Sequence, residues 1–223
     1  GEVKVGDQRV AEARLLLQAH ELEPAAVDPT ARVSPEAQLG PGVRIGPYAV
    51  IGPHVRLGAA SVVESHVVIQ GRTTLGEGNH LFPFSSVGQV PQDLKYRGED
   101  SSLEIGDRNV IREYVTMHVG TAGGGGVTRV GSDNLFMAHA HVAHDCQVGS
   151  HAIFAQAATL AGHVSVADWA TIGAFSGIHQ FCRVGAHAFV GGYTVATQDV
   201  LPFSKTVGNR ACIYGPNLVG LTR

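Results

Sequence analysis

Apolar residues recur at every sixth position from Val27 onward: Val27, Val33, Leu39, Ile45, Ile51, Leu57, Val63, Ile69, Leu75, Leu81 and Val87, without a slip. A glycine often follows, as at Gly40, Gly46, Gly52, Gly58 and Gly76, and the residue four places on is small or β-branched, as at Ala31, Ala37, Val43 and Ala49. A period of six fits neither the 3.6-residue helix nor simple strand alternation. It is the mark of a solenoid, in which each coil covers the apolar row of its neighbour. The pattern lapses between Gly88 and Leu103, where Asp93 and Glu99 fall on the expected apolar positions. It resumes at Ile105, Ile111 and Met117 and breaks again at Gly123–Gly126. From Val130 it continues through Phe136, Val142, Val148 and Phe154 to Ala196, one residue out of frame.

The 223 residues therefore divide into an N-terminal extension (1–26), a repeat domain (27–202) with loops near 88–104 and 120–129, and a tail (203–223) that begins after Pro202. Within the extension, Asp7 can cap a short helix over Asp7–His20 whose Val10, Ala13, Leu16 and Leu17 share a face. With 29 glycines, 6% aromatic and 16% charged residues, the composition suits a β structure with many tight turns. A net charge of -3 gives no reason to expect nucleic acid as a partner. No apolar run approaches the ~20 residues of a membrane-spanning helix, and no secretory leader is visible. Three widely spaced cysteines make no disulfide framework and fit a reduced, cytoplasmic protein.

The repeat resembles that of the hexapeptide acyltransferases, whose fold is all-β, a left-handed parallel β-helix. The resemblance implies a triangular prism with one hexad per wall, so that residues 18 apart stack one strand spacing apart, about 4.8 Å. On that ruler His141, His144, His163 and His179 gather along one edge, with Gly162 one coil above His144 and Gln180 two coils above it. The third place of its hexad points His144 away from the aliphatic interior. Cys146 and Cys182 fall two coils apart, roughly 10 Å, too far for a disulfide, whose Cα atoms lie within ~7 Å. Both occupy the small interior position and read as core residues.

Five segments sharpen the resemblance: Gln92-Asp93-Leu94-Lys95-Tyr96, Glu104-Ile105-Gly106-Asp107-Arg108-Asn109, His141-Val142-Ala143-His144-Asp145-Cys146, Leu160-Ala161-Gly162-His163-Val164 and His179-Gln180-Phe181-Cys182. In this order they are similar to the UDP-N-acetylglucosamine 3-O-acyltransferases of lipid A biosynthesis, over the stretch from about Val27 to Arg223. The resemblance implies that His144 is the general base, Asp145 its orienting partner and the Gly162 N–H the oxyanion donor. It further implies that Gln92, Asp93 and Lys95 approach the sugar and its phosphates, and that His141, His163, His179 and Gln180 line the site. Gly192 matches the place that gauges the acyl chain, and Asn217 and Arg223 match residues that meet the nucleotide. The implied partners are UDP-N-acetylglucosamine, acyl carrier protein as thioester co-substrate and two further copies in a homotrimer, with no metal or other cofactor. Val219 stands where a ribose-contacting glutamate is common, and Val119 where an arginine is common. The family's C-terminal helical domain would begin where this sequence stops.

The chemistry suits those residue types. A sugar hydroxyl is a poor nucleophile, and a positioned histidine that takes its proton contributes about 10²–10⁴-fold. The oxyanion that forms needs a preorganised donor. Three alternatives remain at this point: a related UDP-amino sugar acylated on nitrogen, a zinc-dependent β-helix enzyme using His139 and His144, and a non-catalytic scaffold.

Overall fold

The computed structural model describes residues 23–209 and 212–222. The helix expected over Asp7–His20, and Arg223, lie outside the described residues. What the hexads build is a left-handed parallel β-helix. Strands of mostly two residues turn at three corners per coil and stack into three sheets of eleven, nine and eight strands, parallel but for the last strand of the first. A two-residue strand has no stability of its own. Each one here is held by the strands above and below, in a register that advances one coil at a time: Ala26 beside Arg44, Arg44 beside Val62, Val62 beside His80.

The sixth-position residues point inward. Ile51, Ile69, Leu75, Leu81, Ile111, Leu160, Ile172 and Ile178 are buried in the prism, and Phe136 stacks on Phe154 with ring centres 4.6 Å apart. Each such side chain contributes about 1.5–3 kcal/mol by leaving water.

The two lapses in the repeat are lengthened coils. Normal coils place interior contacts 18 residues apart; across the first loop the corresponding contact spans 30 and across the second 25. Thirty is a multiple of six, so the hexad frame survives the first loop. Twenty-five is one more than a multiple of six, which is why the frame slips once, after the second. A buried ladder of asparagines carries the register across both. Asn109 donates from its side chain to Asn79 Oδ1, and Asn134 donates to Asn109 Oδ1, at 3.0 and 2.9 Å.

At most corners the second turn residue has a left-handed backbone, as at Tyr48, His66, Phe84, Tyr114, His139, Asp145, His151, His163 and Trp169. For a bulky residue that conformation costs roughly 1–2 kcal/mol. Stacking offsets it: rings one coil apart meet face to face, as in Phe84–Tyr114 (5.3 Å), Tyr114–His139 (4.9 Å) and His151–Trp169 (4.1 Å). His151 and Trp169 are thus rungs of a ladder, with His187 and Phe203 above them.

The tail starts later than Pro202 suggests. Ser204–Val207 continues the first wall beside Phe189–Val190, and only then does Cys212–Pro216 fold back antiparallel on it. Pro202 closes a corner and does not end the wall. A single helical turn, Leu218–Leu221, follows. No helix among the described residues is long and apolar enough to cross a membrane.

Candidate functional site

The site forms at the corner between the second and third walls. Both long loops leave the prism there, between Gln89 and Ser102 and between His118 and Val127. The next three coils turn the same corner through Ala143–Cys146, Ala161–Val164 and His179–Cys182. The inward/outward alternation of the walls sends Val142 and Cys146 to the core and keeps His144 at the surface of the turn.

His144 is anchored by the residue after it. Its Nδ1 lies 2.7 Å from Oδ2 of Asp145. The left-handed backbone of Asp145, φ 60°, folds its side chain back beneath the turn, where it is fully buried. A buried carboxylate without donors costs several kcal/mol. Here Oδ1 accepts the Thr121 N–H at 2.7 Å and Oδ2 the Thr121 hydroxyl at 2.6 Å. Since a carboxylate oxygen only accepts, the His144 proton resides on Nδ1 and Nε2 presents its lone pair.

Gly162 closes the other side. A Cβ there would stand 2.5 Å from Cε1 and 2.7 Å from Nε2 of His144, so only glycine leaves room for the imidazole. Among the described residues no acceptor meets the Gly162 N–H. The turn position explains this: Pro35 and Pro53 occupy it in earlier coils, which is possible because an N–H there makes no wall bond. His163 lies edge-on to His144 with ring centres 5.0 Å apart, its Nδ1 3.7 Å from Asp145 Oδ2, and its ring stacks on Phe181 at 4.4 Å.

His141 stands on the second wall just before the corner, its Nδ1 2.7 Å from Thr116 Oγ1. Edge-on to it lies His118, only 4% exposed, whose Nδ1 has no partner among the described residues. Burial pushes the His118 imidazole down to about 4, with His141 and His144 adding to the effect. Burial, and then His144, also hold His141 below its ordinary range.

Other expected residues are spread more widely. Gln92, Asp93 and Lys95 ride on the first loop, where Asp93 Oδ1 accepts the Lys95 N–H at 2.9 Å and Leu94 between them is 94% exposed. His179 and Gln180 are exposed at the site corner, the His179 ring turned to the Gln180 carbonyl at 3.2 Å. Gly192 sits on the corner between the first and second walls, and Asn217 beside the corner between the third and first. Asn217 is occupied as a clamp: its side chain donates to the His187 carbonyl and accepts the Gly220 N–H, capping the final turn. It lines a recess of about 530 Å³ with His151, Trp169, His187 and Val219; His144 is not part of that recess.

Sequence reasoning missed Thr121, Gly124 and His118. The coil ruler cannot find the first two, because the contact from Thr121 to Asp145 crosses a lengthened coil and spans 24 residues. For metal ligation, His144, Asp145 and His163 form the one grouping among the described residues, with donor atoms within 4.8 Å. The three hydrogen bonds already on Asp145 leave its oxygens poorly placed for that purpose. The zinc pair suggested by spacing fails, since His139 lies at a different corner, stacked on Tyr114.

Residues 36–71 match the family model for the bacterial transferase hexapeptide (six repeats). The acyl-[acyl-carrier-protein]–UDP-N-acetylglucosamine O-acyltransferase of an Anaeromyxobacter species is 59% identical over 198 residues, covering 89% of this chain and 77% of that protein. The protein of the same description from Paracoccus denitrificans is 54% identical over 143 residues, 64% of this chain; the matched stretch is 55% of that protein. Among solved structures, LpxA from Acinetobacter baumannii superposes with a TM-score of 0.87 at 45% identity, over 88% of this chain and 76% of that one.

Proposed function

We infer the function from one premise: this chain belongs to the acyl-[acyl-carrier-protein]–UDP-N-acetylglucosamine O-acyltransferase family. It transfers a (3-hydroxy)acyl group from acyl carrier protein to the 3-hydroxyl of UDP-N-acetylglucosamine, the first step of lipid A biosynthesis. What carries this proposal in the site itself is the His144 imidazole, fixed at Nδ1 by buried Asp145 and lying against Gly162, whose N–H meets no acceptor among the described residues.

Nε2 of His144 takes the proton of the sugar hydroxyl as its oxygen attacks the thioester carbon. The carbonyl oxygen becomes an oxyanion and accepts a hydrogen bond from the Gly162 N–H. When the intermediate collapses, the carbon–sulfur bond breaks and the leaving thiolate takes the proton back from His144. The products are the 3-O-acyl sugar nucleotide and the free carrier thiol. No step requires a metal or another cofactor. Lys95 on its exposed loop supplies a point charge for diphosphate.

The site completes itself between copies of the chain, in a homotrimer. Support comes from where the expected residues fall: the His144 corner, the Gly192 corner and the Asn217 edge are three different edges of one prism. A single prism cannot turn all three toward one ligand, whereas neighbouring prisms packed side by side can. The reaction belongs to the cytoplasm, a reading supported by the free thiols of Cys146 and Cys182.

The test is mass spectrometry of UDP-N-acetylglucosamine incubated with the chain and a set of 3-hydroxyacyl carrier proteins, with sedimentation to read the assembly. An alkali-labile acyl ester on the sugar, made by a trimer, is the expected product. Acylation only of a 3-amino analogue would move the acceptor from oxygen to nitrogen. No acyl transfer to either sugar would refute the enzyme assignment.

A further inference from the structure

The glycine-rich second loop has no role in the mechanism above, yet it is built around the catalytic carboxylate. Thr121 is buried and starts a short 3-10 turn, Ala122–Gly124. A threonine at that position ordinarily caps its own turn with its hydroxyl. Here the turn gets no side-chain cap. The hydroxyl goes to Asp145 Oδ2 at 2.6 Å, and the Thr121 N–H goes to Oδ1 at 2.7 Å. Two donors of one residue thus hold both oxygens, and the carboxylate cannot rotate without losing one of them. Gly124 lies against the same group: a Cβ there would stand 2.0 Å from Asp145 Cγ and 2.3 Å from each oxygen. Its backbone is outside the left-handed region, so the need for glycine at 124 comes from the carboxylate and not from the chain's own conformation. The Thr121 carbonyl accepts the N–H groups of Gly124 and Gly126, which ties the turn to the threonine. From the far side, Glu99 of the first loop accepts the Ala122 N–H at 3.3 Å.

We propose that Thr121 is a positioning residue for the acyl transfer: it fixes Asp145, and through Asp145 the His144 imidazole, while Gly124 leaves the carboxylate its space. This rests on the function proposed above only for its kinetic consequence; the structural claim stands apart from it. Oδ2 accepts from both Thr121 and His144, so a change in one bond is felt by the other. The second loop is then a brace, and its lengthening of the coil is what brings Thr121 under a residue 24 positions ahead.

Thr121→Val removes the hydroxyl and keeps the shape. Its kcat should fall about tenfold or more, as a misaligned base does, with KM for both co-substrates changed less than about threefold. Thr121→Ser, which keeps the donor, should restore most of the loss. In an Asp145→Asn background Thr121→Val should cost less than about twofold further, because residues acting as one unit are not additive. Multiplying losses in that cycle, or wild-type kcat in Thr121→Val, overturns the proposal. Gly124→Ala perturbs the same carboxylate from the other side and substitutes if the valine variant fails to fold.

Nitrogen-15 and proton NMR of the histidine side chains decides the matter without turnover. The wild type should show a downfield, slowly exchanging His144 Nδ1 proton, kept in Thr121→Ser and broadened or lost in Thr121→Val. An unchanged resonance in the valine variant refutes the brace even if the chain acylates nothing. Absence of acyl transfer by the wild type refutes the enzymatic function alone.

Discussion

Replacing Gly162 by alanine separates the geometry of the base from the stability of the coil. The added Cβ would meet His144 Cε1 at 2.5 Å, whereas ordinary contact begins at 3.4 Å. The imidazole must therefore move by about 1 Å. It cannot do so freely, since Asp145 holds Nδ1 at 2.7 Å and His163 lies edge-on behind it. Gly162 has no left-handed backbone to lose, so alanine costs the chain little conformationally and gains roughly 0.4–1 kcal/mol by restricting the unfolded state. A 1 Å misplacement of a reacting group lowers the rate about 10²-fold, equivalent to about 2.7 kcal/mol of barrier. Steady-state kinetics with UDP-N-acetylglucosamine and acyl carrier thioester should show that loss in kcat, while the thermal midpoint shifts by only a few degrees. Wild-type kcat in Gly162→Ala would show that the imidazole at this corner is not the positioned base. A collapse of the midpoint with kcat per folded molecule unchanged would make Gly162 a packing residue only.

Two further perturbations bear on stability. His118 sits neutral because burial lowers it from an ordinary value near 6.5 to about 4; the unfolded chain takes up a proton there first, so this stability is full above pH 6.5 and lost as pH falls toward 4. The loss is at most about 3.4 kcal/mol at 1.36 kcal/mol per pH unit, and melts of His118→Leu between pH 7 and 4 should lack that share of the slope. Asn109→Ala strips the ladder of its middle rung, leaving the Gly131 carbonyl and the Asn134 N–H without their partners, each at 3.0 Å; at about 1–3 kcal/mol per buried unsatisfied group, chemical denaturation should report a loss of roughly 2–6 kcal/mol.

The prism was legible in the sequence because one rule repeats. Each hexad must put one aliphatic residue inside, and Val27 through Val87 state that rule eleven times before any interruption. The corner that carries the site followed from the same period, since His144, Gly162 and Gln180 are whole coils apart. What the period could not give is whatever depends on a break in it. Thr121 and Gly124 reach Asp145 across a lengthened coil, and no count by eighteens joins them. Pro202 reads as a terminator from its missing N–H, yet it falls at a corner position that tolerates proline, and the wall goes on through Ser204–Val207. Asn217 reads as a polar tail residue, but its side chain is spent on capping the last turn and on the His187 carbonyl. The aromatic ladders were invisible for another reason: a left-handed backbone at Tyr114 or Trp169 runs against local preference, and only the ring one coil away makes it worthwhile.

The most direct measurement is the rate at which His144→Ala forms acylated UDP-N-acetylglucosamine from acyl carrier thioester, set beside the wild type. His144 lies at the surface of a turn, so the variant should fold and assemble as the wild type does. Its kcat should drop by about 10²–10⁴-fold, the share a positioned base supplies, while KM for both co-substrates changes far less. Near-normal turnover in His144→Ala would contradict the account and pass the role of base to another residue, with His141 the first to test.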